Sequence, residues 1–123
     1  MLGVKANMRT ITVLVVGVGL ALCSTAHAAD RPQYDVPAGY TRCSTVTAWN
    51  GFFKWVSVRH ASCRRARSFL GAYAQRAGVG PMPRRLHGYR CAIRYWHNDE
   101  GDVYASRHRC VRERAVIRFY GMV

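Results

Sequence analysis

Arginine is the residue in this chain with the most chemistry to offer. Arg90 and Arg94 lie in one β-rich segment, Arg107 and Arg109 in the next, and Arg118 in a third, with Trp96 nearby. Even spacing along a strand puts side chains on one face. A guanidinium grips phosphate, sulfate or carboxylate through paired hydrogen bonds, and a flat aromatic beside it offers a stacking surface. This pattern suits a polyanion, although an ordinary solvated sheet face would carry similar charges. A second basic cluster comprises Arg59, Arg64, Arg65 and Arg67 with Arg84 and Arg85 from a later loop. The first four flank a helix start, where free N–H groups attract anions; plain surface charge is the alternative.

Other chemistry is poorly supported. His60, His87, His97 and His108 are scattered, and Glu113 is flanked by Arg112 and Arg114. A nuclease would need a His or Glu base beside its arginines, and no nucleophile, zinc-protease or phosphate-loop motif is present. His108 falls on the side of its strand that reads as core, where a packed, hydrogen-bonded imidazole is expected. No cysteine pair has the C-x-x-C spacing of a zinc site. The expectation is a non-catalytic protein without metal or cofactor. Phe52, Phe53 and Trp55 surround Lys54, a combination that suits a lipid interface unless one strand face is buried.

The chain has 123 residues and net charge +13, of which Lys5 and Arg9 supply two, leaving +11 on residues 29–123. Lys54 is the lone lysine of that part. Such a charge favours nucleic acid, acidic wall polymers or anionic headgroups, while GC-rich coding would raise the arginine share by itself. Residues 1–28 read as a signal peptide: Lys5 and Arg9, then an apolar run over 11–22, then Ala26-His27-Ala28 for cleavage. Met8 is an alternative start. That run covers roughly 18 Å as a helix, short of the about 20 residues a span needs. Leu20-Ala21-Leu22-Cys23 loosely matches a lipid-attachment signal, but Leu22 is too large for it. The mature chain is thus expected to be secreted, to the medium or envelope, with no transmembrane segment.

What must position the arginines is one small domain. Residues 29–41, with Pro32, Pro37 and Gly39, read as an extended lead-in, and 42–121 as the folded unit. Residues 43–49 and 52–58 flank Asn50-Gly51, the strongest short hairpin signal. Ser62 is an N-cap for a helix to about Ala77, closed by Gly78. Cys63, Ala66, Leu70, Tyr73 and Ala77 make its apolar stripe, widened by Phe69 and Ala74. Three arginines in its first turns oppose the helix dipole. Residues 78–88 read as a loop. Strands follow over 89–97, 102–110 and 115–120. Counting through the turn at 98–101 sets His97 opposite Asp102 and Cys91 opposite His108. Cys91, Ile93, Tyr95, Tyr104, Ser106, His108 and Cys110 then face the core, joined by Ala115, Ile117 and Phe119. The fold class is α+β, order β-β-α-β-β-β, one helix on an antiparallel or mixed sheet.

Four cysteines remain after the leader, and an even count in an exported small domain implies two disulfides. Cys43 counts opposite Val58, close to the helix start, and Cys91 and Cys110 share a face and an end of the second hairpin. Cys43–Cys63 with Cys91–Cys110 is therefore favoured over crossed pairing of Cys63 with Cys110. Each bridge closes a loop of about 20 residues and contributes roughly 3 kcal/mol.

The segments Val56-Ser57-Val58-Arg59-His60-Ala61-Ser62-Cys63-Arg64-Arg65-Ala66-Arg67, Gly88-Tyr89-Arg90-Cys91, and Cys110 followed by Ala115-Val116-Ile117-Arg118-Phe119 resemble those of small exported proteins of high-GC Gram-positive bacteria, a group without established activity. The likeness covers about 42–120 and concerns fold and disulfides; it implies no catalytic residue. The acidic turn at 98–102 and several extra aromatics depart from it. The expected function is a binding module for an anionic partner: nucleic acid, acidic wall polymer or anionic lipid. Alternatives are an inhibitor or interaction module for a secreted protein, and a secreted nuclease-like enzyme.

Overall fold

Asn50 and Gly51 adopt φ of 52° and 80°, the left-handed pair that a two-residue hairpin turn requires. They close the tip of the first hairpin in the computed structural model, which describes residue 3, residues 16–19 and residues 30–122. The leader and cleavage site lie almost wholly outside the described residues. Ala48 bridges Phe53 at the tip, in the register that the turn dictates. Beyond the tip the pairing departs from the count. Residues 43–47 turn out of the sheet, with the Val46 N–H donating to the Cys43 carbonyl at 3.1 Å. The strand expected over 43–49 is thus replaced by a turn, and β1 is only Thr41–Arg42. Thr41, not Cys43, lies opposite Val58 on β2 (Phe53–Arg59). The excursion lets Cys43 and Val46 point into the core, where they are 3% and 1% exposed.

Ser62 caps α1 (Cys63–Ala77), its hydroxyl accepting from the Arg65 N–H at 3.1 Å. Gly78 ends it, in right-handed conformation with φ −73° rather than the left-handed stop common for glycine. Ala66, Phe69, Leu70, Tyr73 and Ala77 are its buried face. A two-residue strand that the reading as loop missed, β3 (Arg85–Leu86), turns through His87-Gly88 (φ 49° and 78°) into β4 (Tyr89–His97). β5 (Val103–Arg112) and β6 (Ala115–Met122) complete an antiparallel sheet of order β1-β2-β6-β5-β4-β3.

The second hairpin is also displaced. Cys91 pairs with Cys110 and Ile93 with His108. The Asn98 side chain accepts from the Glu100 and Asp102 N–H groups at 3.0 and 2.9 Å, and the register shifts between Trp96 and His97. The loop over 98–102 takes up one residue more than the counted turn, and the bulge beside His97 takes up a second. A shift of two keeps Cys91, Ser106, His108 and Cys110 facing the core, whereas a shift of one would have inverted them. Nearer the loop the reading fails, since Tyr95, expected inward, is 38% exposed and Tyr104 packs with Trp96, Ala105 and Tyr120 instead.

One core fills the space between helix and sheet, with Phe53, Val58, Ile117, Phe119, Cys110 and Cys91 of the sheet meeting Leu70, Phe69 and Tyr73 of the helix. Burying each large side chain contributes about 1.5–3 kcal/mol. Both favoured disulfides are formed: Cys43–Cys63 ties the helix start to the chain beside β1, and Cys91–Cys110 ties β4 to β5. Two bridges suit an oxidising compartment such as the cell exterior. No helix among the described residues is long and apolar enough to cross a membrane.

Candidate functional site

The antiparallel register lays out the face of the sheet away from the helix as rows of cations. Arg85 pairs with Arg90. Arg94 pairs with Arg107, whose neighbour on β6 is Tyr120, itself opposite Lys54. Arg109 pairs with Arg118, which faces Ser57, and Ser57 faces Arg42. Arg59, opposite Val116, joins the same face. The five arginines expected on this face are therefore together. Arg42, Lys54, Arg59 and Arg85 extend it; the first two were not anticipated, and the last two were assigned to the helix-start cluster. Directly paired residues share a face, but the pairing itself needed the tertiary register.

The lead-in over 30–41 is more than a linker, because its first part crosses this face. Asp30 pairs with the Arg94 guanidinium. Asp35 lies 3.5 Å from Arg118 Nη2, and its carbonyl accepts from Arg118 Nη1 at 3.0 Å. Arg118 Nη2 also donates to Tyr120 Oη at 2.9 Å, and Tyr120 Oη donates to the Gln33 carbonyl at 2.6 Å. Tyr34 stacks on Trp55 at 5.5 Å and meets Tyr120 edge-on at 4.9 Å; its partial burial raises the hydroxyl pKa, with Tyr104 and Tyr120 adding to the rise. As a result Arg118, expected to point outward, is only 8% exposed. Trp96, expected as a flat stacking surface, is 5% exposed. It packs with Ala105 and Tyr120, beneath the Arg94 and Arg107 guanidiniums at 4.7 and 5.8 Å. Asp30 and Asp35, two carboxylates in the lead-in of a strongly basic chain, were the signal that this segment docks on arginine.

These are the ion pairs among the described residues. Arg90, Arg107 and Arg109 have no carboxylate within reach, and Arg90 and Arg109 are exposed. Like charges directly opposite on a sheet repel, so three Arg–Arg pairs with two carboxylates form an under-neutralised surface. The segment leaves a polar hollow of about 290 Å³ among Arg94, Arg107, Arg118 and its own Asp30 and Asp35.

The second basic cluster does not assemble as a unit. Arg65 reaches a hollow with His87 and Arg112, whereas Arg84 and Arg85 line another with Arg76 beyond the far end of the helix. Arg67 contacts Thr45 through a 3.4 Å hydrogen bond. The aromatic group around Lys54 is divided too. Phe53 is wholly buried, Phe52 is half-buried, and Trp55 is 40% exposed in a left-handed bulge, φ 57°, with Arg42 5.0 Å above its ring.

His108 sits in the core as expected. Its Nδ1 is 2.7 Å from Tyr73 Oη and its Nε2 2.7 Å from Ser106 Oγ, and its ring stacks on Phe119 at 4.6 Å. A neutral imidazole offers one donor and one acceptor, which this chain uses in full. Burial pushes the His108 pKa down to about 3 and raises that of Tyr73. All three residues are at most 2% exposed, so the chain stitches helix to sheet rather than facing a substrate. No group of three or more potential metal ligands occurs among the described residues. No protein-family model matches the chain, and no solved structure matches it significantly.

Proposed function

We propose that this is an exported, non-catalytic module that binds an extended polyanion across the outer face of its sheet. The observation that carries the reading is the set of directly opposed arginine pairs, Arg85 with Arg90, Arg94 with Arg107 and Arg109 with Arg118. Strands are about 4.8 Å apart, and same-face residues recur about every 6.7 Å along a strand. A single small anion would relieve one such pair, whereas a polymer with regularly spaced anions relieves several. Nucleic acids, acidic wall polymers and clustered anionic headgroups share that property. Export is supported by the two disulfides and by the leader-like residues 1–28.

The test is binding to duplex DNA, an acidic wall polymer and anionic vesicles across 50–200 mM salt, with Arg90, Arg107 and Arg109 all changed to Ser. The wild type should bind at least one of them with strong salt dependence. If each arginine meets a phosphate of duplex DNA, the slope of log affinity against log salt shrinks by roughly 0.9 per residue lost. An unchanged slope in the triple variant, or no binding to any of the three, removes this face as the site.

A further inference from the structure

The chain has six acidic residues against nineteen basic ones. Asp99, Glu100 and Asp102 sit in the loop between β4 and β5, and Glu113 in the turn between β5 and β6. The other two, Asp30 and Asp35, both lie in the N-terminal segment, and both meet an arginine of the outer face. They occupy Arg94 and Arg118, one member of each of two directly opposed arginine pairs. Two strands and two residues separate Arg94 from Arg118, roughly 12 Å by the spacings of a sheet. The segment therefore crosses strands instead of running along one.

Its attachment is of a kind that can be undone. Pro32 and Pro37 lack the N–H that a strand ladder needs, and no residue over 30–36 makes a backbone–backbone hydrogen bond to the sheet. Side chains of the face hold it instead. Arg118 donates to the Asp35 carbonyl and Tyr120 Oη to the Gln33 carbonyl, and Tyr34 packs against Trp55 and Tyr120. The Asp30 and Asp35 side chains remain 70% and 61% exposed, so water and salt weaken both ion pairs. Arg118 beneath them is buried. A polymer cannot reach Arg118 while the segment lies there.

We infer that residues 30–37 are an acidic strap that competes with the polyanion: it occupies Arg94 and Arg118 in the free protein and is displaced when the polymer binds. This role rests on the polyanion reading of the outer face. Asp30 and Asp35 stand where two anions of the ligand would sit, and Tyr34 anchors the strap between them. A site open only part of the time binds more weakly by that fraction, so a strap docked about nine-tenths of the time lowers affinity about tenfold. Such a strap excludes a single anion, which gains one contact, and admits a polymer that engages several arginines at once.

The experiment measures binding of inorganic polyphosphate to the disulfide-intact protein, because that polymer offers regularly spaced charge and nothing else. One double variant carries Asp30→Asn with Asp35→Asn. A second carries Asp99→Asn with Glu100→Gln, which adds the same net charge at residues outside any ion pair. Loss of two exposed ion pairs should tighten binding by the first variant about fivefold relative to the second. In the wild type, the Tyr34 ring resonances should lose the shifts imposed by the Trp55 and Tyr120 rings once polyphosphate saturates. Equal affinity of the two double variants, or Tyr34 resonances that keep their stacked positions at saturation, would overturn the strap and leave the face as a polyanion site. Polyphosphate binding by none of the three proteins would overturn both.

Discussion

Acid should weaken this fold through one imidazole. His108 is wholly buried between Tyr73, Ser106, Phe53 and Phe119, and burial moves its pKa from 6.5 to about 3. Between those values the unfolded chain binds a proton that the folded chain does not. Stability therefore falls as pH drops through 6.5 and stops falling, for this group, below about 3. Each unit of pKa difference corresponds to about 1.4 kcal/mol, which gives a loss of about 3 kcal/mol between pH 7 and pH 4. Carboxylates titrate in the same range, so the measurement must isolate the imidazole. His108→Gln keeps a donor and an acceptor in the site but cannot titrate. Its stability at pH 7 should be lower, because the Tyr73 and Ser106 bonds are no longer both well placed. Urea denaturation of both proteins at pH 7, 5.5 and 4, with disulfides intact, gives the difference directly. The gap between wild type and variant should narrow by about 3 kcal/mol from pH 7 to pH 4. Curves that stay parallel within about 1 kcal/mol would refute the claim that His108 is held neutral by burial.

Two further perturbations report on packing and on the docked N-terminal segment. A side chain at Gly121 would come within 2.7 Å of Ser106 Oγ and 2.8 Å of Phe52 Cε1, so Gly121→Ala should cost about 1–3 kcal/mol by overpacking, read as a lowered thermal midpoint. Tyr120→Phe removes the hydroxyl that joins Arg118 to the Gln33 carbonyl. Amide hydrogen exchange at residues 33–36 should speed up severalfold while β4 and β5 keep their protection, and unchanged exchange would mean that this hydroxyl does not hold the segment down.

Much of the fold was legible locally. Asn50-Gly51 specified a turn because both residues tolerate positive φ, and Ser62 with Gly78 bounded the helix within a residue. The Cys63–Cys110 alternative failed because each cysteine has a nearer partner: Cys110 lies directly across the hairpin from Cys91, and Cys43 reaches Cys63 through the turn over 43–47 rather than from the counted position opposite Val58. The hairpin turn and the helix bounds depend on chemistry within a few residues, which the chain order carries. The hairpin registers did not yield to counting. The turn over 43–47, the Trp55 bulge and the side-chain-stapled loop at Asn98 each take up residues in ways that only packing rewards.

The candidate site divides along the same line. Residue types and even spacing determined that arginines would share one face, since strand alternation is a property of the backbone. Tertiary structure alone decided which arginines stand opposite each other, that Arg42, Lys54, Arg59 and Arg85 join them, and that Asp30 and Asp35 neutralise two. It also decided that Trp96 is covered rather than presented. The reason is that a charge array and its cover are long-range facts: Asp30 and Arg94 meet across 64 residues of chain. No local propensity encodes such a meeting.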